Sequence, residues 1–305
     1  MASSPDGSLR LETCPCPSCG APPPGRAREE FPPYRVVDCS ACGLRFLSPR
    51  VAREDAGRLY GEASYWEEGG LKRGYASYSV LEPLLVKTFV RRLRLLPPPG
   101  PGARLLDVGC GPGAGLAAAT SLGYEAWGLD PSPAGVAAAR DRFGDRVRLG
   151  SLSDRALPEG SFDVVTLFDV VEHLYDPRRL APDLDAHLAP GGRVLIATPN
   201  CESLLARFSG RRWVSYKIPE HVVFYSPRTL RATLHPVFEL ERIRPCGQVA
   251  SLDFLLERFA AALPAGGGLL RRLSSFPAAR RVRFYANSGS MLAVGRRADE
   301  RRTAA

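Results

Sequence analysis

From Arg104 onward, short apolar runs alternate with longer amphipathic segments. RLLDV (104–108), EAWGLD (125–130), VRLG (147–150), FDVVTLF (162–168) and RVLIATP (193–199) are dominated by apolar, often β-branched residues and bounded by glycine, proline or aspartate. Runs of that kind predict strands buried on both faces. The intervening segments predict helices at 113–122, 132–143 and about 177–189. FELERIRPC (238–246) and SMLAVGRR (290–297) predict two late strands at the far edge of the sheet. Buried strands separated by helices predict an α/β fold, a Rossmann-like, doubly wound parallel sheet with helices on both faces.

Outside this core the pattern changes. A helix is expected from Val80 to Leu96, and PPPGPG (97–102) then breaks the chain, which places the main domain boundary there. Tyr60, Tyr65, Trp66, Tyr75 and Tyr78 crowd one short stretch, too aromatic for a plain linker. It reads either as a lid over a sugar or aromatic acceptor or as apolar glue between modules. Residues 251–283 form an arginine-rich amphipathic stretch broken by Pro264 and Gly266 to Gly268. A helical insertion packed on the core is the favoured reading, and a lipid- or partner-facing surface the other. The expected organisation is therefore 1–50, a small cysteine module; 51–102, aromatic lid and connecting helix; and 103–305, the α/β domain.

The 305 residues, 45% hydrophobic and 24% charged, have ordinary globular composition. No run approaches the roughly 20 apolar residues of a membrane span. The first residues, MASSPDGSLRLETCPC, lack the apolar core of a secretory signal, which predicts a cytoplasmic protein. The formal charge of +9 fits a nucleic-acid or anionic-membrane partner, acidic small substrates or a solvated arginine-rich surface alike. Cysteines change the picture more. Cys16-Pro-Ser-Cys19-Gly and Cys39-Ser-Ala-Cys42-Gly form two C-x-x-C-G knuckles at the spacing of a zinc ribbon. Two intervening residues let both thiolates reach one ion, the glycine permits the tight turn, and four sulfurs close a tetrahedral site. Such a zinc is structural. Cys14 is a spare that could replace Cys16, while Cys110, Cys201 and Cys246 read as small buried hydrophobes.

LLDVGCGPGAGL (105–116) sets a glycine turn between the first core strand and a helix, where bare backbone and the helix's positive end meet a ligand. No Gly-Lys-Ser/Thr follows, so it is not a P-loop. Gly109-x-Gly111-x-x-Ala114 fits the relaxed dinucleotide fingerprint, which keeps NAD open. Asp107, at the strand end, argues for another ligand: a carboxylate facing the bound molecule repels a pyrophosphate and favours the ammonium and sulfonium of S-adenosylmethionine (SAM). Asp130, ending the second strand, is placed to accept both hydroxyls of a ribose, which suits either ligand. Ser132 can cap the helix that follows.

The combination D-V-G-C-G-P-G, L-D-P-S, S-F-D-V-V and E-H-L-x-D-P resembles the class I SAM-dependent methyltransferases, nearest to the group of ubiquinone-pathway O-methyltransferases, over about 103–200. The paired C-x-x-C-G ribbon with the later P-N…P-E-H-x-x-x-F/Y-S pattern is similar to a bacterial subgroup associated with cell-surface glycan or natural-product pathways. The resemblance implies a seven-stranded sheet and SAM as cofactor. It implies that Asp107, Gly109 and Gly111 meet the methionine end, with Cys110 and Gly113 in the same turn, and Asp130 meets the ribose. Pro131 and Ser151 then lie near adenine, and Phe168 borders the cofactor. One departure is GSLSD (150–154) in place of the commoner glycine-aspartate pair.

Methyl transfer is an in-line displacement at an already activated sulfonium, so the protein need only align the acceptor and, where required, take its proton. Four histidines occur in the chain. His187 and His235 read as structural or surface residues. His173, within VVEHL, could orient the following turn or touch substrate. His221, in YKIPEHVVFYS beside Glu220 and Lys217, is the candidate base, with loop-fixing as the other role; some sugar C-methyltransferases bearing a zinc ribbon resemble it in such a Glu-His pair. The expected activity is SAM-dependent methyl transfer to a small-molecule or glycan acceptor, with oxygen the favoured atom. Sugar C-methylation and a zinc-ribbon RNA methyltransferase are the alternatives. A non-catalytic adaptor on the same fold is disfavoured by the intact glycine turn and strand-two acid.

Overall fold

The computed structural model describes residues 9–23, 25–59, 78–154, 157, 161–262 and 267–298. Of the aromatic stretch expected as a lid, residues 60–77 lie outside these. Five short strands come first: β1 (Leu11–Glu12), β2 (Glu29–Phe31), β3 (Tyr34–Asp38), β4 (Arg45–Leu47) and β5 (Arg50–Val51). Helix α1 (Tyr78–Leu93) leads into the α/β core, which runs β6 (Arg104–Val108), α2 (Ala114–Ser121), β7 (Glu125–Asp130), α3 (Pro133–Phe143), β8 (Val147–Leu149), β9 (Phe162–Phe168), α4 (Leu180–His187) and β10 (Leu188–Pro199). There follow α5 (Leu204–Ser209), β11 (Val223–Phe224), α6 (Pro227–Leu234), β12 (Phe238–Ser251), α7 (Leu252–Ala262), α8 (Gly267–Ser274), α9 (Pro277–Arg281) and β13 (Arg283–Arg297).

The main sheet has seven strands in the order β12-β13-β10-β9-β6-β7-β8. The five strands β6 to β10 are parallel, and β13 runs antiparallel between β10 and β12. The strand period of two sorts the apolar runs onto two faces. Leu106, Val165, Leu167, Val194 and Ile196 pack on one face, and Leu105, Val164, Phe168, Leu195 and Ala197 on the other. Both faces are covered, which is why these strands read as continuous apolar runs rather than as an alternation. Ser132 caps α3 by accepting from Gly135 N at 3.2 Å, with Pro133 in the first helical position.

Two features tie the flanking segments to this core. Val86, Phe89, Val90 and Leu93 of α1 pack on the second face, so the helix preceding the proline break belongs to the same apolar core. The cysteine module shares the first face through Cys14, Cys16, Val37, Cys39, Leu44 and Phe46. Its four-stranded sheet, ordered β11-β4-β3-β2, takes its outermost strand from far along the chain: Val223 pairs with Phe46 and Phe224 with Arg45. Between β12 and β13, residues 251–283 form α7, α8 and α9. Gly267 lies against the Ala260 carbonyl, and Ser274 Oγ donates to Glu257 Oε1 at 2.9 Å, so α7 and α8 pack on each other. No described helix is long and apolar enough to cross a membrane.

Candidate functional site

The turn after β6 is built around glycine. Gly109, Gly111 and Gly113 have φ of +71°, +48° and +101°, left-handed values that side chains disfavour. A Cβ on Gly109 would meet Val170 Cγ2 at 2.5 Å, so the turn presses against the loop that follows β9. Asp130 locks it from the neighbouring strand: Oδ2 accepts from Gly111 N at 2.7 Å and Oδ1 from Ser132 N at 2.8 Å. Burial pushes its carboxyl above the usual range, while those two amides favour the ionised form. Asp107 lies beneath the turn. Its Oδ1 accepts from Thr166 Oγ1 at 2.6 Å, and its Oδ2 sits 1.9 Å from where a Cβ on Gly115 would be. Burial raises it to about 7. The carboxylate expected to face a ligand is thus turned toward α2 and Thr166, where it braces the turn.

The other residues read as cofactor-binding gather at the same ends of the parallel strands. Cys110 contributes backbone to the turn, while its thiol packs on Gly128 of β7. Pro131 is exposed after β7, and Ser151, half-buried after β8, donates its N–H to Asp154 Oδ2 at 2.6 Å. Phe168 ends β9, stacked on Phe89 at 4.8 Å beneath the Arg92 guanidinium at 5.1 Å. The next residue, Asp169, has φ of +58°, the only positive φ on a non-glycine among the described residues, and pairs with Arg92 at 3.4 Å. Strain at a strand end beside a ligand turn fits a functional position.

Three side chains meet a few residues further on. The loop after β9 carries Glu172 and His173, and the segment before β11 carries His221. One ligating atom from each lies within 4.8 Å of the others, and the two rings stand edge to face with centroids 4.7 Å apart at 89°. His173 Nδ1 lies 3.0 Å from the Glu220 carbonyl, and His221 Nδ1 lies 2.9 Å from the Ser215 carbonyl. A carbonyl only accepts, so both rings carry their proton on Nδ1 and their lone pair on Nε2. Burial holds His173 down at about 4 and His221 well below the ordinary histidine value, so both are neutral. Glu172 is 1% exposed; Oε2 accepts from Thr198 Oγ1 of β10 at 2.9 Å, and Oε1 has no hydrogen-bond partner. Burial raises this carboxyl to about 8.

The sequence points to His221 and His173, and the fold brings them together. Glu220 serves through its main chain, holding His173, while the carboxylate in the cluster is Glu172. Glu172 and its partner Thr198 were not among the candidates. The usable signal is the E-H pair of VVEHL, which puts a carboxylate directly before a histidine at a strand end. His187 is buried, its Nδ1 2.9 Å from the Asp183 carbonyl, a structural placement.

The four knuckle cysteines also converge. Cys16 Sγ lies 3.6 Å from Cys42 Sγ, and Cys19 Sγ lies 3.6 Å from Cys39 Sγ, far beyond a disulfide bond. At zinc–sulfur distances of about 2.3 Å, a tetrahedron has sulfur–sulfur edges of about 3.8 Å, so the set fits one ion. Backbone amides of Ser18 and Cys19 point at Cys16 Sγ, and those of Ala41 and Cys42 at Cys39 Sγ, the outer hydrogen bonds that thiolate ligands require. Gly20 and Gly43, at φ of +78° and +75°, close the two knuckles. Cys14 stands apart, directed at the Leu47 carbonyl.

Residues 86–236 match the methyltransferase domain family. Among curated proteins, a Mycolicibacterium smegmatis chain named as an S-adenosylmethionine-dependent methyltransferase is 38% identical over 100 residues, covering 32% of this chain and 39% of that one. The ubiquinone biosynthesis O-methyltransferase of Xanthomonas campestris is 32% identical over 142 residues, covering 45% and 56%. The matches thus span from two fifths to little more than half of these relatives' length. Of solved structures, a chain of the complex between the Haloferax volcanii Trm112 methyltransferase activator and a methyltransferase aligns at TM-score 0.53 with 19% identity, covering 78% of this chain and 99% of that chain. Haemonchus contortus phosphoethanolamine N-methyltransferase 2, in complex with SAM, aligns at 0.50 with 17% identity, covering 84% and 63%. These likenesses show the fold. The family match assigns residues 86–236 to the methyltransferase domain family, on the fold that the strand order and the glycine turn describe.

Proposed function

We propose that this protein transfers the methyl group of SAM to an oxygen of a small-molecule or glycan acceptor. The observation that carries the reading is a juxtaposition. The glycine turn locked by Asp130 and the largely buried Glu172–His173–His221 cluster share one edge of the sheet, with Val170 reaching from the loop of one onto Gly109 of the other. A cofactor lying over the turn would present its methyl carbon toward the loop that carries the cluster. Asp107 and Gly109 to Gly113 shape the methionine end of that site, Asp130 the ribose, Pro131 and Ser151 the adenine, and Phe168 its inner wall. His221, with its lone pair on Nε2, is the candidate acceptor of the hydroxyl proton, His173 its neighbour in the site, and Glu220 the main-chain anchor of His173.

Oxygen is favoured because the Xanthomonas relative is named as an O-methyltransferase. The four-thiolate module would hold a structural zinc, since a closed tetrahedron offers no open position for catalysis. Four cysteines kept reduced as metal ligands fit a reducing, cytoplasmic setting. Calorimetric titration with SAM, S-adenosylhomocysteine and NAD tests the reading. Binding of the two SAM-derived ligands alone, followed by methylation of a hydroxylated acceptor in a screen, is the expected result. Binding of NAD, or of none of the three, would overturn it.

A further inference from the structure

We propose that the helical insertion between β12 and β13 docks on an anionic lipid surface. Leu269, Leu273 and Phe276 would enter the bilayer interface, and the arginines around them would meet lipid phosphates. The inference goes beyond the methyl-transfer reading and uses none of the residues assigned to it.

The first observation is an unpartnered apolar face. Gly267 and Ser274, seven positions apart on α8, hold the stripe that faces α7: a Cβ on Gly267 would meet the Ala260 carbonyl, and Ser274 Oγ donates to Glu257. Leu269 and Leu273, one turn apart, therefore stand on the outer side, 67% and 42% exposed. Phe276, at the cap of α9, is 56% exposed. Large apolar side chains grouped in solvent contribute nothing to the core and mark a surface that another apolar medium covers.

Charge identifies that medium. From Arg258 to Arg283 the chain carries six arginines and neither aspartate nor glutamate. Arg271, Arg272, Arg281 and Arg283 are exposed, and the Glu257 carboxylate just before the stretch is engaged by Ser274. Leucine and phenylalanine among arginines, with no acid between them, suit a helix lying in a membrane interface. The apolar groups sit below the headgroups, and the guanidinium groups reach back to the phosphates. A second copy of this face would set like charges against each other. Nucleic acid offers phosphates but no apolar layer to cover the leucines.

The sheet gives the insertion its position. Ser290 of β13 pairs with Pro199 at the carboxyl end of β10, and pairing with β12 continues to Arg283 and Ser251. Residues 283–289 thus run past the carboxyl ends of the parallel strands and carry α7, α8 and α9 to the edge where the glycine turn sits. Docking through α8 brings that edge of the protein to the bilayer.

The test is cosedimentation of the full chain with vesicles, one set pure phosphatidylcholine and the other equal parts phosphatidylcholine and phosphatidylglycerol. Binding to the anionic set is expected to be at least about tenfold tighter and to weaken as salt is raised. Losing one arginine near an anionic surface costs roughly fivefold, so Arg271→Gln with Arg272→Gln should weaken binding about 25-fold. Leu269→Gln with Leu273→Gln should weaken it about 100-fold. Arg53→Gln with Arg94→Gln removes the same charge from exposed positions elsewhere and should stay within about twofold. The substituted positions are all exposed, and circular dichroism checks that each variant is folded. No binding to the anionic set, equal binding to both sets, or full binding by the folded double-leucine variant would overturn the proposal. A concentration-dependent dimer or retained RNA in place of vesicle binding would also overturn it and assign the face to that partner.

Discussion

Leu47 of the cysteine module donates its backbone N–H to the carbonyl of Val222 at 2.9 Å, one residue beyond His221. Val222 N in turn donates to the Glu172 carbonyl, also at 2.9 Å. A single residue therefore ties the ribbon on one side to the acidic loop on the other, and the pairing of β11 with β4 continues the tie. The ribbon is a wall of the candidate site.

Loosening that wall should displace His221. Cys39→Ser, or zinc removal by a chelator, is expected to lower kcat by roughly tenfold or more, because small misplacements of an aligning group are costly. S-adenosylhomocysteine affinity should change little, since the glycine turn stands on β6 and β7, away from β4. Steady-state kinetics alongside calorimetry checks the split. Equal loss of kcat and cofactor affinity would show general unfolding instead.

Gly115 is the tightest point under the turn. A methyl group there would lie 1.9 Å from Asp107 Oδ2, inside a helix and against a buried carboxylate that cannot swing into solvent. Gly115→Ala is expected to destabilise the fold by about 1–3 kcal/mol, the range for overpacking, despite alanine's better helix propensity. Denaturant unfolding measures it, and a stabilised variant would contradict this packing.

Asp107 should also leave a signature in the pH dependence of stability. Its carboxyl is raised to about 7 in the folded chain, against about 3.9 unfolded. Between those values the folded state keeps a proton that the unfolded state has lost, so this contribution is full below about 4 and is lost as pH rises through 7. Asp107→Asn keeps an acceptor for Thr166 and cannot ionise. Its melting temperature should fall less than that of the wild type between pH 5 and 7.5. Parallel curves would show that the carboxylate is not the source.

Asp130 links the turn to the expected ribose site. Asp130→Ala removes the acceptor of both Gly111 N and Ser132 N. Losing hydrogen bonds to a charged group should weaken SAM binding by roughly 10- to 100-fold, about 1.5–3 kcal/mol. Calorimetry on the variant, with circular dichroism as a folding control, decides it.

Much of this was legible along the chain. Strands buried on both faces must be apolar nearly throughout, and a turn with three left-handed positions must be glycine, so the runs at 104–108, 162–168 and 193–199 and the Gly109–Gly113 turn announce themselves locally. The two knuckles do so as well, because their chemistry is set by a spacing of two residues. Strand ends were less legible: β10 begins at Leu188 and β12 extends to Ser251, since pairing with neighbours carries a ladder past the last apolar residue. What only the tertiary structure decided is where side chains distant in sequence point. Asp107 faces Thr166 and Gly115, not the open side of the turn. His173 and His221, 48 positions apart by their numbers, meet ring to ring with Glu172 beside them, because β10 sets Thr198 beneath the carboxylate and the ribbon pins the segment after His221. Local pattern encodes backbone conformation and burial; the meeting of a carboxylate and two imidazoles depends on sheet order and on a strand borrowed from another module, and no short window of sequence contains either.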